Sequence, residues 1–105
     1  MKCLSYADFF SNFANKTRLN IIMALKEKPL SVTEIGNHIK EEQSKVSHNL
    51  KKLSACHIII AEQKGKNRIY SLNKETVMPI LQLIEEHIKN NCKKCDKHET
   101  KKHIP

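Results

Sequence analysis

At 105 residues the chain is long enough for one compact domain and too short for two. Hydrophobic residues make up 39% and charged residues 29%, a balance that argues against a disordered polymer, and no run approaches the roughly 20 apolar residues of a membrane span. Nineteen Lys and Arg against eleven Asp and Glu give a formal charge of +8, a field that draws polyanions: nucleic acid or an anionic surface.

With 5% aromatic residues and no Trp, the core has to be aliphatic. Tyr6–Phe13 is moderately apolar, but Asp8, Ser11 and Asn12 interrupt it and no cleavage pattern follows, so no signal peptide is expected. The expected location is cytoplasmic, where thiols stay reduced. Cys3, Cys56, Cys92 and Cys95 are therefore read as thiols or metal ligands rather than as a disulfide framework.

In chain order, Leu4 to Ala14 carries Phe9, Phe10 and Phe13 at helical spacing, with Ser5 and Asp8 as a capping box. Asn15 caps a second helix whose face is Leu19, Ile22, Met23 and Leu25, and Pro29 ends it. Ser31 and Glu34 form another S-x-x-E box, opening a short helix through Ile35, His38 and Ile39. After Lys40–Glu42 comes a longer helix, Gln43 to Ala55, buried through Val46, Leu50 and Leu53. The period then changes. Ile58, Ile59 and Ile60 and the run Arg68 to Leu72 flank Lys64-Gly65-Lys66-Asn67, which spells a hairpin. Asn73 is placed to cap a last helix bearing Val77, Ile80, Leu81, Leu83, Ile84 and Ile88, with Pro79 as a kink about two turns in. The expected organisation is one domain over 1–90 and a flexible Lys-rich tail over 91–105.

Two short helices, a tight turn, a helix with a basic polar face and a basic hairpin together fit double-stranded DNA. A helix enters the major groove, where each base pair shows its own donor and acceptor pattern. Gln43, Ser44 and Ser47 can bond base edges, while Lys45, His48 and Lys51 reach bases or phosphates. Lys64, Lys66 and Arg68 on the hairpin suit flanking phosphates or the minor groove. The plain alternative is the solvated face of a surface helix.

The sequence resembles the ArsR/SmtB repressors. Asn15-Lys16-Thr17-Arg18-Leu19 matches the family's N/D-P-T-R-L run, and Gln43-Ser44-Lys45-Val46-Ser47-His48-Asn49-Leu50-Lys51-Lys52-Leu53 its Q-S-T-V-S-H-H-L-K-x-L recognition helix. Arg68-Ile69-Tyr70-Ser71-Leu72 resembles the wing strand ending in Y-x-L. The resemblance spans roughly residues 5–90. It implies a mainly α winged helix-turn-helix with a small β-hairpin: four helices, the wing and a fifth helix. It also implies a homodimeric repressor on a palindromic operator, joined through the first and last helices. Phe9, Phe10, Phe13, Leu81, Ile84 and Ile88 are the expected interface. Two departures stand out. Lys16 replaces Pro, and His57 stands where the family has Gly, at a site that needs a left-handed backbone.

Many relatives release DNA when a metal binds. The family's E-L-C-V-C-D-L site aligns with Pro29-Leu30-Ser31-Val32-Thr33-Glu34-Ile35, where hydroxyls replace both thiols, so that site is absent. Of the Asp and His ligands on the last helix only His87 is matched; Lys74, Thr76 and Asn90 occupy the others. The tail offers Cys92, Cys95 and His98, a Cys-x-x-Cys-x-x-His set suited to Zn(II) or another soft metal, with His103, His87 or Cys3 across a dimer as a fourth ligand. A Cys92–Cys95 redox pair and a regulator with no metal inducer are the alternatives. Cys56 reads as a small buried residue.

No enzyme is expected. Ser47 and His48 are adjacent, so on a helix they point about 100° apart and cannot act as nucleophile and base. Gly36 and Gly65 are the only glycines, so there is no Gly-rich phosphate loop. A protein-binding wing would carry fewer cations, and a single-strand RNA binder more aromatic stacking residues than Tyr70.

Overall fold

A computed structural model of the chain describes residues 3–92. The elements run α1 (Tyr6–Ala14), α2 (Lys16–Glu27), β1 (Leu30–Ser31), α3 (Val32–Ile39), α4 (Gln43–Ala55), β2 (Ile59–Lys64), β3 (Asn67–Leu72) and α5 (Val77–Asn91). This is the winged helix-turn-helix that the residue pattern predicts. The described residues fall into two compact units, one ending at Asn73 and one starting at Lys74.

In the first unit the helix starts follow from side-chain caps. Ser5 Oγ accepts from Asp8 N–H, but Asp8 Oδ2 accepts from Leu4 N–H at 3.2 Å, one residue ahead of the expected box. Asn15 Oδ1 accepts from Arg18 N–H at 2.9 Å and starts α2. The box at α3 is complete: Glu34 N–H donates to Ser31 Oγ at 3.2 Å and Ser31 N–H to Glu34 Oε1 at 2.8 Å. The bonds to the Ser31 backbone and then its side chain, with help from Lys28, hold the Glu34 carboxyl below its ordinary value.

Helix α2 is the hub, packing against α1, α3, α4 and β3. Its Ile21 and Ile22 are fully buried, as are Ile35 of α3, Val46 and Leu53 of α4, and Ile58. Each such side chain contributes roughly 1.5–3 kcal/mol by leaving water. Four polar residues are buried with them: Asn12, Thr17, Arg18 and Asn49. The Asn12 amide donates to Asp8 O and Phe9 O, and that of Asn49 to Lys45 O, so both are spent on their own helices.

Two tight joints set the direction of α4. Before it, Lys40 takes a left-handed backbone (φ 61) and Glu41 N–H closes on Gly36 O at 3.0 Å. A Cβ on Gly36 would stand 3.0 Å from the Glu41 carbonyl oxygen, so any larger residue there presses on the backbone of the turn. After it, His57 has φ 57 and takes the left-handed backbone expected of it. His57 N–H bonds Ser54 O and Ile58 N–H bonds Leu53 O, the pattern of a Schellman stop.

The sheet is antiparallel with order β1-β3-β2. Strand β1 is an addition to the expected hairpin; its two residues, paired with Tyr70 and Ile69, are too few to show a period. The hairpin turn is tighter than the four residues expected. Lys64 pairs with Asn67, leaving Gly65 and Lys66 as the loop, and Gly65 (φ 62) supplies its left-handed step.

The cysteine expectation is corrected. Cys3 and Cys56 are joined as a disulfide, with Cα atoms 4.8 Å apart at a sequence separation of 53. Folding brings the start of α1 to the end of α4, a proximity that sequence spacing does not encode. Cys56 is buried as expected, yet it is not a free thiol.

In the second unit, α5 starts at Val77 and not at Asn73. Asn73 does not cap it; its amide donates to His57 O at 3.0 Å. Thr76 is the N-cap, without a side-chain cap bond. Pro79 is therefore the third residue of the helix, inside the first turn, where a missing N–H breaks no helical bond and supplies no cause for a kink. Val77 and Leu81 are buried, whereas Leu83 and Ile84 are exposed. Among the described residues no helix is long and apolar enough to cross a membrane.

Candidate nucleic-acid interface

Helix α4 is split cleanly between two environments. Val46, Leu50 and Leu53 are at most 2% exposed. Gln43, Ser44, Lys45, Ser47, His48 and Lys51 are all exposed. The inner face anchors the helix through α2 and α3, so the outer face is presented on a rigid support. Ser47 and His48 sit mid-helix, held by a backbone whose neighbours on both sides are fully packed.

Three of the predicted side chains have partners. Gln43 Nε2 donates to Thr33 Oγ1 at 2.9 Å, tying the first turn of α4 to α3. Lys45 lies 3.5 Å from Glu41 and Lys64 3.9 Å from Glu62, both exposed pairs. Such pairs are worth little on the surface and open readily to a competing anion. Thr33 carries no signal in the sequence, because its partner is ten residues away.

On the wing, Lys64, Lys66 and Arg68 are exposed. Arg68 and the half-buried Tyr70 share a recess of about 360 Å³ with Leu50, Lys51 and Ser54 of α4. Helix and wing thus border one concavity, with a cation from each at its edge. Tyr70 is a wall of that recess, a role that its Y-x-L setting leaves hidden.

The expected dimer residues divide. Phe9 and Phe13 are half-buried, while Phe10 is 55% exposed. Phe9 stacks edge-on to Phe10 with ring centroids 5.3 Å apart and tilts against Phe13 at 5.4 Å. On α5, Leu83 is 66% and Ile84 41% exposed, Ile88 is half-buried, and Leu81 is buried within the chain.

Of the expected metal ligands, Cys95 and His98 lie outside the described residues. Cys92 is a half-buried free thiol at the C-cap of α5. Among the described residues no three His, Cys, Asp or Glu side chains come together to hold an ion. Ser31, where the family's thiolate site would start, spends its hydroxyl on the α3 cap. His87 faces Asn91, its Nδ1 3.4 Å from that amide.

A packed helix-turn-helix followed by a basic β-hairpin defines the winged helix-turn-helix class. The homodimeric winged helix-turn-helix DNA-binding domain Mb0332 from Mycobacterium bovis has the same fold: 22% identity, TM-score 0.74, covering 89% of this chain and 85% of that one. Residues 15–61 match the family described as bacterial regulatory protein, arsR family. A transcriptional repressor SmtB homolog from Synechocystis sp. is 31% identical over 81% of this chain, and the chain spans 64% of that protein's length. An HTH-type transcriptional regulator, MJ1325 from Methanocaldococcus jannaschii, is 31% identical over 76% of this chain and 91% of its own. The chain belongs to the ArsR family of transcriptional regulators.

Proposed function

We propose that the protein is a cytoplasmic homodimeric repressor that reads a palindromic operator in double-stranded DNA. The observation that carries this reading is the split of α4, with six exposed polar or basic side chains opposite three buried aliphatic ones, beside a wing with three exposed cations. Ser44, Ser47 and His48 face base edges; Lys45, Lys51, Lys64, Lys66 and Arg68 contact phosphates, and Gln43 sets the start of the helix through Thr33. Two copies place their recognition helices in successive major grooves, about 34–36 Å apart. Phe10 in the first unit and, separately, Leu83 and Ile84 in the second are exposed apolar side chains for a second copy to cover.

Fluorescence anisotropy on the gene's own upstream DNA tests this reading. Binding should be tight and fall steeply with salt, and Ser47→Ala with His48→Ala should abolish the preference for that DNA while far-UV circular dichroism stays unchanged. Retained preference in that double variant would exclude α4 as the reading helix.

Release by a soft metal ion is the second part of the proposal. Cys92 is a free thiol, and the Cys-x-x-Cys-x-x-His spacing offers Cys92, Cys95 and His98 as thiolate and imidazole ligands for Zn(II). Zinc should weaken DNA binding in the same titration, and Cys92→Ser with Cys95→Ser should make the protein blind to it. An undiminished zinc response in that variant would move the sensor elsewhere.

A further inference from the structure

The Cys3–Cys56 bond runs from the edge of the core, where Cys56 is buried, to the half-buried Cys3. Cys3 is half-buried and borders an open cleft of about 620 Å³, walled by Leu4, Tyr6, Ala55 and His57 among others. Its segment is lightly held: Leu4 N–H bonds Asp8 Oδ2, but Leu4 is 79% and Tyr6 87% exposed. None of the fully buried side chains of this unit lies in that segment. Opening the bond would release Cys3 and the lightly held residues after it without removing any fully buried side chain.

The other end of the bond is placed where it matters. Cys56 is the C-cap of α4, its N–H bonded to Lys52 O and Ser54 O, and His57 and Ile58 complete the stop that turns the chain into the wing. The disulfide thus fastens the start of α1 to the joint between recognition helix and wing.

From this placement we infer that Cys3 and Cys56 form a reversible redox site, oxidised by hydroperoxides, whose state sets DNA affinity. The inference rests on the DNA-binding reading above. Both cysteines line the cleft, but Cys3 is half-buried and Cys56 buried, so Cys3 is the sulfur that a hydroperoxide reaches first. The Cys3 thiolate attacks the terminal oxygen of the hydroperoxide; an S–O bond forms, the O–O bond breaks, and the alkoxide leaves with the thiol's proton as an alcohol. The Cys56 sulfur then attacks the sulfenic sulfur; the S–S bond forms, the S–O bond breaks, and hydroxide leaves with the second proton as water. Two electrons pass from the thiols to the peroxide. Cellular dithiols or an added thiol reverse the step by exchange. The oxidised form is the tighter binder, since the bond removes freedom at the joint that aims α4 and the wing.

The test uses the full chain carrying Cys92→Ser and Cys95→Ser, so that Cys3 and Cys56 are the only thiols. Reduced protein is treated with tert-butyl hydroperoxide, mapped for the Cys3–Cys56 peptide link, and titrated onto its upstream DNA in both states. The link should form, reverse in dithiothreitol, and tighten DNA binding about fivefold or more. Adding Cys3→Ser should leave affinity at the reduced value with or without peroxide. No link on peroxide treatment, or a link with equal affinity in the two states, overturns the inference. A link that forms and reverses while neither state binds the DNA overturns the DNA-binding reading and the coupling to it, and upholds the thiol chemistry alone.

Discussion

His57 shows how much one backbone angle decides. A left-handed conformation costs a non-glycine residue of order 1–2 kcal/mol, and His57 accepts it because the Schellman bonds to Ser54 and Leu53 and the Asn73 amide over-determine the turn. His57→Gly should therefore raise stability by about 0.5–1 kcal/mol, seen as a higher urea midpoint at unchanged slope. A fall would mean that the His57 side chain contributes more than its backbone loses. At α3 the same scale gives a pH dependence. The folded carboxyl of Glu34 sits below the unfolded value of 4.5, so its contribution is fully present above that value and fades as pH falls through the lower, folded one. Glu34→Gln should lower stability near neutrality and converge on the parent protein as pH falls below about 4.5, flattening the profile there. Ser31→Ala, which removes the cap itself, should cost about 1 kcal/mol at all these pH values.

At the scale of elements, the joint between α3 and α4 sets two effects of Gly36 against each other. Alanine gains about 1 kcal/mol of helix propensity over glycine. The added Cβ, 3.0 Å from the Glu41 carbonyl oxygen, meets backbone in a turn closed by its own hydrogen bond, and overpacking of this kind costs about 1–3 kcal/mol. Gly36→Ala should lose on balance, by about 1 kcal/mol in chemical denaturation. The elements were readable where their signals are local. The Ser31–Glu34 box, the Asn15 cap and the buried spacing of Val46, Leu50 and Leu53 each lie within a few residues of sequence, while the left-handed His57 is expected from the glycine that the family carries there. What escaped is what the fold brings together from afar: β1 on β3, Gln43 on Thr33, Cys3 on Cys56, and Asn73 on His57. The buried Asn12 and Arg18 escaped for a related reason, because polar residues inside a helix carry no sign of which neighbour will cover them.

At the scale of the whole molecule, the exposed apolar side chains are the strongest constraint. Phe10, Leu83 and Ile84 stand in water on a single chain, at a cost that the proposed self-association would remove. Leu83→Asp with Ile84→Asp should halve the mass seen by light scattering and reduce operator affinity by at least about tenfold, since one half-site then binds alone. Intact mass with the two charges in place would put the interface on another face. The candidate site was legible to the extent that it lies on one helix and one hairpin. Its concavity was not, because Lys51 and Arg68 meet only once the wing folds back beside α4.

The acid groups beside Lys45 and Lys64 give the reading face a built-in rival for phosphate. Any polyanion must displace Glu41 and Glu62 before it gains those lysines, and random DNA, which offers charge but no matching bases, recovers little for the exchange. That penalty is the same on every sequence, so under the proposed reading the two acids lower affinity for all DNA alike and leave the choice among sequences to Ser44, Ser47 and His48.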